Sequence, residues 1–235
     1  THTKYYLIDD RHLITGSINI EDRHHGYFDY MVSVAGDGLG DHFRARESGK
    51  AAPDYEREFE LVFNQTMGGE KRFEIKPLLL DLLGKAEEEI FIEVAYIGDP
   101  DVDDAIAAAA HRGVEVNMLF SEKANIGNDL NYRTAEKLYQ RAPVNIFLTP
   151  RMIHSKMLAF DRNLVLSGSA NLSIFSMRNS AELNLLIRNP RLVTEFLAVG
   201  DARREASTPV EDAKALASYN HPLAALQELH QKLKL

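Results

Sequence analysis

Hydrophobic and polar positions alternate most clearly between residues 75 and 150. Leucines at helical spacing predict a helix over 75–88, and the nearly unbroken apolar run at 90–95 predicts a strand buried on both faces. Asp99 followed by Pro100 predicts the start of a helix that ends before Gly113. The pattern continues with strands at 114–120, 144–148 and 183–187 and a helix at 129–141. Because strands and helices alternate, we expect a parallel-rich sheet covered on both faces.

The beginning of the chain carries weaker patterns. Strands are predicted at 4–9, 12–15 and 31–35, and a helix at 53–66. Residues 67–70, with two adjacent glycines, are the best candidate for a linker.

The tail from Asn189 is predicted to be helical. Residues 208–211 have capping-box spacing, with a proline at the first turn. One face of a last helix is marked by Leu223, Leu226, Leu229 and Leu233. We expect that face to pack on its own domain, with membrane or partner binding as the alternative.

One short pattern occurs twice. The second copy consists of His154, Lys156, Asp161, Gly168, Ser169 and Asn171, and the first of His2, Lys4, Asp9, Gly16, Ser17 and Asn19. In both copies the serine follows the histidine by 15 positions and the asparagine by 17. Six residue types at identical offsets define an internal repeat. On an extended strand the histidine and the lysine of each copy point to one face.

The repeated residues have the chemistry of a phosphate site. Each copy offers an ammonium, a carboxamide, a hydroxyl and an imidazole to anionic oxygens. Two copies brought together supply one imidazole to attack phosphorus and a second to protonate the leaving oxygen. His2 and His154 are therefore the predicted reacting pair, and Lys4 and Lys156 offset charge in the transition state. The alternative is two similar strand-turn units whose histidines are satisfied structurally.

Composition limits the remaining choices. The 235-residue chain is 45% hydrophobic and 26% charged, as is ordinary for a globular protein that buries a sizeable core. It has no cysteine, which excludes disulfides and thiolate chemistry. A net charge of −8 argues against a broad nucleic-acid footprint. No apolar run could span a bilayer, and no signal peptide is visible. His24 and His25 lack ligand spacing, so we expect no metal and no cofactor.

At the repeated residues the sequence resembles the phospholipase D superfamily, whose signature is H-x-K-x4-D-x6-G-[SG]-x-N. Both copies match it without a gap, and residues 76–190 are similar to the second half of a cardiolipin synthase or related phosphatidyltransferase. The resemblance implies an α/β fold of two pseudo-twofold-related α/β/α repeats with mixed sheets. The corresponding division is the end of a first repeat at 1–66, a second repeat at 67–200 and a helical tail at 201–235.

The resemblance also implies roles for the site residues. His2 would be the nucleophile and His154 the general acid and then base, with the reverse order left open. Asn19 and Asn171 donate to the phosphate oxygens, and Ser17 and Ser169 are further candidates. Asp9, Asp161, Gly16 and Gly168 are motif residues that we expect to be structural, the aspartates fixing local turns. Each imidazole needs an orienting acceptor. Glu182 lies 28 residues after His154, and Asp29 is its counterpart in the first copy.

The predicted function is phosphodiester hydrolysis or phosphatidyl transfer of the cardiolipin synthase type. The implied partners are a phospholipid such as phosphatidylglycerol, an alcohol or water acceptor, and a membrane surface, in a bacterial, membrane-associated protein. Apolar residues that flank the motifs, Phe175 among them, are candidates for the wall of an acyl or headgroup entrance. One alternative is a nuclease of the same superfamily, which the acidic composition disfavours. Another is an inactive fragment that serves as a binding module.

The two copies differ in what precedes them. Roughly eighty residues, from Glu74 to Ile153, precede the second motif histidine, whereas only Thr1 precedes the first. We therefore expect an exposed sheet edge near residues 4–15 and low activity for this chain alone. An upstream segment or a second polypeptide would complete the first repeat.

Overall fold

The computed structural model describes residues 1–19, 25–52, 58–122, 128–217 and 229, with only the backbone of 128 and 129. Two sheets organise these residues, one of three strands and one of nine. The predicted α/β class with mixed sheets is confirmed.

The nine-stranded sheet has the order β12-β8-β7-β6-β9-β10-β11-β4-β5. Only the pairs of β6 with β7 and β7 with β8 are parallel, so the sheet is mixed rather than parallel-rich. The strands are β4 (Phe59–Met67), β5 (Glu70–Phe73), β6 (Glu89–Val94), β7 (Glu115–Ser121), β8 (Val144–Thr149), β9 (Lys156–Phe160), β10 (Leu164–Gly168), β11 (Glu182–Ile187) and β12 (Thr208–Pro209).

Helices pack on the sheet because the apolar side chains of both are buried where they meet. Two clusters of buried side chains form the core. As predicted, the buried Asp99 side chain caps a helix by accepting from the backbone of Asp101 and Val102. The helices are α1 (Leu39–Glu47), α2 (Ile75–Lys85), α3 (Pro100–His111), α4 (Asn128–Arg141), α5 (Ile174–Arg178), α6 (Pro190–Glu205) and α7 (Ala213–Ala217).

The three-stranded sheet repeats part of the large one. Strands β1 (Tyr5–Ile8), β2 (His12–Gly16) and β3 (Met31–Ala35) pair antiparallel in sequence order, as β9, β10 and β11 do. Strand β9 pairs with β6 on its other side, whereas β1 is an edge. Tyr6 and Ile8 are each 46% exposed, although their counterparts Leu158 and Phe160 are buried. The expected edge near residues 4–15 is therefore present.

Several predicted elements are wrong. Residues 59–66 are strand rather than helix, because β4 pairs with β11 and is buried on both faces in its middle. The predicted linker is the turn of the β4–β5 hairpin, where Gly68 and Gly69 both have positive φ. Thr208 and Pro209 form a short strand on β8 instead of a helix start. Within the predicted last helix, only Leu229 lies among the described residues.

The motif aspartates both occupy left-handed turns, with φ of 49° at Asp9 and 48° at Asp161. Asp161 also accepts hydrogen bonds from the backbone of Glu87, Glu88 and Glu89, which lead into β6. Its carboxylate thus anchors a neighbouring strand in addition to its own turn. Among the described residues, Asp9 makes no such bond.

Candidate active site

Two histidine–carboxylate pairs form the centre of the site. Nδ1 of His2 lies 2.9 Å from Oε2 of Glu182, and Nδ1 of His154 lies 3.0 Å from Oδ1 of Asp29. The sequence associates each carboxylate with the histidine of its own copy, but the structure pairs them across the copies. Each predicted carboxylate therefore lies beside a motif histidine, but beside that of the other copy.

The backbone explains the exchange. The N–H of His154 donates to the carbonyl of Phe28, the residue before Asp29, at 2.9 Å. The N–H of His2 donates to the carbonyl of Ala181, the residue before Glu182, also at 2.9 Å. Equivalent backbone hydrogen bonds thus place the carboxylate of each copy beside the histidine of the other. This reciprocity is a direct sign of pseudo-twofold symmetry.

The motif serines and glycines hold the carboxylates in place. The hydroxyl of Ser17 donates to Asp29 and that of Ser169 to Glu182, each at 2.5 Å. A Cβ at Gly16 would lie 2.1 Å from the carbonyl oxygen of Tyr30, and one at Gly168 would lie 2.3 Å from that of Leu183. Only glycine permits this approach of the motif strand to the strand that carries the carboxylate. The serines therefore contact the carboxylates rather than standing free for a phosphate.

The two motif lysines share one electrostatic environment. Burial lowers the pKa of Lys156 to about 7, against the attraction of Asp29 and Glu182. Burial also lowers the pKa of Lys4, which the same two carboxylates oppose. Because each lysine interacts with the carboxylates of both copies, the two motifs converge on one site. Each ammonium is held by the backbone carbonyl of its own motif histidine.

The carboxylate of Asp29 is charged in this environment. Burial acts to raise its pKa, but hydrogen bonds from His154 and Ser17 outweigh burial and lower it. A charged acceptor fixes the tautomer of His154 with a proton on Nδ1 and leaves Nε2 to exchange protons. Nε2 of His154 lies 3.3 Å from Nζ of Lys156.

A cavity of about 300 Å³ opens beside His2. Asn171 lines it, and its Oδ1 is buried without a partner among the described residues. Phe175 also lines it and is 64% exposed, so the expectation of an apolar residue at an entrance fits its position. Asn19 is partly exposed and makes no side-chain hydrogen bond within the described residues.

A group of residues that the sequence did not reveal lies beneath the second motif. Glu93 on β6 is fully buried, accepts from Ser155 between the motif histidine and lysine, and forms an ion pair with Arg203 of α6. A charged residue within the apolar run at 90–95 was a visible signal for Glu93. Nothing in the sequence pointed to Arg203.

No group of three potential metal ligands occurs among the described residues. His24 lies outside them, and His25 is exposed. None of the helices in the described ranges has both the length and the apolar character that a membrane crossing requires.

Comparison with known families identifies a relationship over just over half of the chain. The family described as "Cardiolipin synthase, PLD-like domain" matches residues 79–200. The phospholipase D of Rickettsia prowazekii is 26% identical over 136 residues, which cover 56% of this chain and 63% of that protein. Cardiolipin synthase 2 of Bacillus anthracis is 26% identical over 227 residues, covering 83% of this chain and 44% of that protein. The chain therefore spans less than two thirds of the length of these relatives.

Solved structures agree on the fold. Phosphatidylserine synthase of Haemophilus influenzae superposes with a TM-score of 0.74 at 13% identity, covering 99% of this chain and 69% of that chain. The phospholipase D family member Nuc of Salmonella typhimurium gives a TM-score of 0.53 at 21% identity, covering 66% of this chain and 98% of that one.

Proposed function

Because this chain belongs to the family of cardiolipin synthase phospholipase D-like domains, we propose that it transfers phosphatidyl groups through a phosphohistidine. The observation that carries the proposal is the pair of crossed histidine–carboxylate contacts beside the buried Lys156 and the partly buried Lys4. Such an arrangement supplies a nucleophile, a proton donor and charge neutralisation to one phosphodiester.

The first step is attack on phosphorus by Nε2 of His2. Its Nδ1 is bonded to Glu182, whose buried carboxylate stabilises the positive charge that a phosphorylated imidazole acquires. A P–N bond forms while the P–O bond to the leaving alcohol breaks. The protonated imidazole of His154 gives its proton to the leaving oxygen. Before this transfer, Asp29 stabilises the positive charge of that imidazole.

The second step reverses the proton transfer. His154, now neutral, takes a proton from an alcohol or water as that oxygen attacks phosphorus and the P–N bond breaks. Lys4, Lys156 and Asn171 offset the charge on the non-bridging oxygens in both steps. The proposed donor is a phospholipid such as phosphatidylglycerol, in keeping with the phospholipase D and cardiolipin synthase names of the relatives. The exposed Phe175 at the cavity is suited to an acyl chain.

The test is turnover of ³²P-labelled phosphatidylglycerol in vesicles, with single- and double-stranded DNA as competing substrates. We expect lipid products and an acid-labile label on His2, both lost in His2→Ala. His12→Ala is the matched control, since His12 is an exposed histidine of the same repeat. Cleavage of DNA but not lipid would favour the nuclease alternative. Binding of lipid without turnover or labelling would favour a binding module and overturn the proposal.

A further inference from the structure

The segment that carries Asp29 has little regular structure of its own. It joins the second repeat through a bridge between Phe28 and Ile153 and through the N–H groups of His154 and Ser155, which both donate to the carbonyl of Phe28. Arg151 adds a hydrogen bond to the carbonyl of Gly26, and its guanidinium carbon lies 4.9 Å from the ring centre of Phe28. Ser17 donates to the carboxylate of Asp29 itself, so what remains to be explained is how the aromatic side chains of Phe28 and Tyr30, on either side of Asp29, are held.

Arg203 contacts both of these aromatic residues. Its guanidinium carbon lies 4.1 Å from the ring centre of Phe28 and 4.6 Å from that of Tyr30. Phe196 is seven residues earlier on α6, hence on the same face, and its ring centre lies 4.8 Å from that of Tyr30. One face of α6 thus contacts both residues that flank Asp29.

Glu93 fixes the guanidinium in that position. The Arg203 side chain is 13% exposed and that of Glu93 is fully buried, so the ion pair is shielded from water. Burial raises the pKa of Glu93, and Arg203 opposes this. The same carboxylate accepts from Ser155, and the Tyr30 hydroxyl lies 3.4 Å from it. Glu93 therefore links Arg203 to the strand of the second motif.

We propose that Arg203, anchored by Glu93, is a positioning residue that holds Asp29 of the first repeat against His154 of the second. The proposal rests on the proposed function, because positioning of Asp29 matters only if His154 transfers protons. It gives α6 a part in the reaction although none of its residues belongs to either motif.

The test compares Arg203→Met with Arg204→Met, a neighbour on the same helix whose partners are Glu89 and Asp201 instead. With a soluble chromogenic diester, we expect Arg203→Met to lower kcat by about 10²-fold, the order expected for a misplaced catalytic group, and to change KM by less than about threefold. Arg204→Met should keep kcat within about twofold of wild type. Equal kcat values in the two variants would overturn the proposal.

Arg203→Met leaves a buried carboxylate without its partner and risks unfolding. The double variant Glu93→Gln/Arg203→Met removes both charges, so it should recover the melting temperature but not kcat. Recovery of both would show that the pair serves stability alone and would overturn the proposal.

A measurement without substrate separates this proposal from the proposed function. In ¹⁵N-histidine NMR spectra, the Nδ1–H signal of His154, assigned by its absence in His154→Gln, should be lost to water exchange in the double variant and retained in Arg204→Met. If wild type turns over no diester, the proposed function fails, and the NMR signal still decides whether Arg203 positions Asp29. A retained signal in the double variant would contradict the positioning role of Arg203.

Discussion

Oδ1 of Asp29 lies 3.0 Å from Nδ1 of His154, although the two residues belong to different copies of the repeat. Glu182 has the same relationship to His2. Each histidine–carboxylate pair is therefore assembled from both copies, so neither copy can form such a pair alone. A change to either carboxylate should act on the histidine of the opposite copy.

The first prediction separates the two carboxylates. Asp29→Asn should impair proton transfer by His154, and Glu182→Gln should impair nucleophilic attack by His2, because an amide cannot stabilise an imidazolium. We expect kcat to fall by roughly 10²-fold or more in each variant. With an activated leaving group, Asp29→Asn should still accumulate labelled phosphohistidine, whereas Glu182→Gln should not.

Asp37→Asn is the control, because this carboxylate of the first repeat is exposed and, among the described residues, pairs with the surface residue Arg11 alone. Labelling on His154, or labelling lost in Asp29→Asn and kept in Glu182→Gln, would exchange the two roles.

The second prediction concerns Gly168. A Cβ there would lie 2.3 Å from the carbonyl oxygen of Leu183 and would push β10 away from β11. We expect Gly168→Ala to lower the free energy of unfolding by about 1–3 kcal/mol, as overpacking of a core does, and to displace Ser169 from Glu182. Urea unfolding measures the loss. Gly84→Ala in α2 meets no atom within 4 Å and should stabilise by up to about 1 kcal/mol; equal effects of the two changes would contradict the steric explanation.

The sequence predicted the second repeat well because its elements carry strong local signals. Three patterns each specify an element without reference to distant residues: the leucines within 75–88, the cap at Asp99 and Pro100, and the apolar run at 90–95. Strand β4 lacked such a signal, since its buried part is the short run 61–64, which shows no alternation and which periodicity alone does not distinguish from a helix. Its identity depends on pairing with β11, more than a hundred residues away.

The sequence predicted which residues lie at the candidate site but not which of them contact one another. Fixed spacing identified both motifs, and the resemblance pointed to Glu182 and, as its counterpart in the first copy, to Asp29. That Asp29 serves His154 depends on how two copies pack, which no single-copy pattern encodes. Arg203 was missed for the same reason, because its partners Glu93 and Phe28 come from other parts of the chain.

The third prediction contrasts the two motif aspartates. Asp161→Ala removes the acceptor of three backbone N–H groups at the start of β6 and should cost about 1–3 kcal/mol of stability. Asp9→Ala should cost less, because Asp9 makes no comparable bond among the described residues. Both changes put alanine at a positive φ, so their difference isolates the hydrogen bonds. Equal losses in denaturant titrations would show that backbone strain dominates instead.

The fourth prediction concerns metal removal. Under the proposed mechanism, charge neutralisation comes from Lys4, Lys156 and the motif asparagines. Turnover in excess EDTA should therefore stay within about twofold of the untreated rate, a change no larger than about 0.4 kcal/mol. Loss of activity that only a divalent metal restores would contradict the mechanism.

The last prediction follows from the burial of Lys156, whose pKa is lowered to about 7. The pKa of a lysine in an unfolded chain is about 10.4. Between these values the unfolded chain binds a proton that the folded chain lacks, so stability should rise with pH across this window. We expect the free energy of unfolding of wild type to rise from pH 7.5 to 9.5 by up to about 1 kcal/mol per pH unit. That of Lys156→Met should rise less steeply, and not stay level, because burial also lowers the pKa of Lys4. Urea titrations at closely spaced pH values measure both slopes.

Lys85→Met is the matched control, because the Lys85 side chain is 73% exposed on α2 and should leave the slope unchanged. Measuring above pH 7.5 keeps the titration of Asp103 out of the comparison, since burial raises the pKa of that carboxyl only to about 7. A bound phosphate anion favours the charged lysine, so phosphate binding at pH 8 should take up more protons in wild type than in Lys156→Met, which keeps only Lys4. Identical slopes and equal proton uptake in wild type and Lys156→Met would mean that Lys156 keeps its charge throughout this range despite its burial.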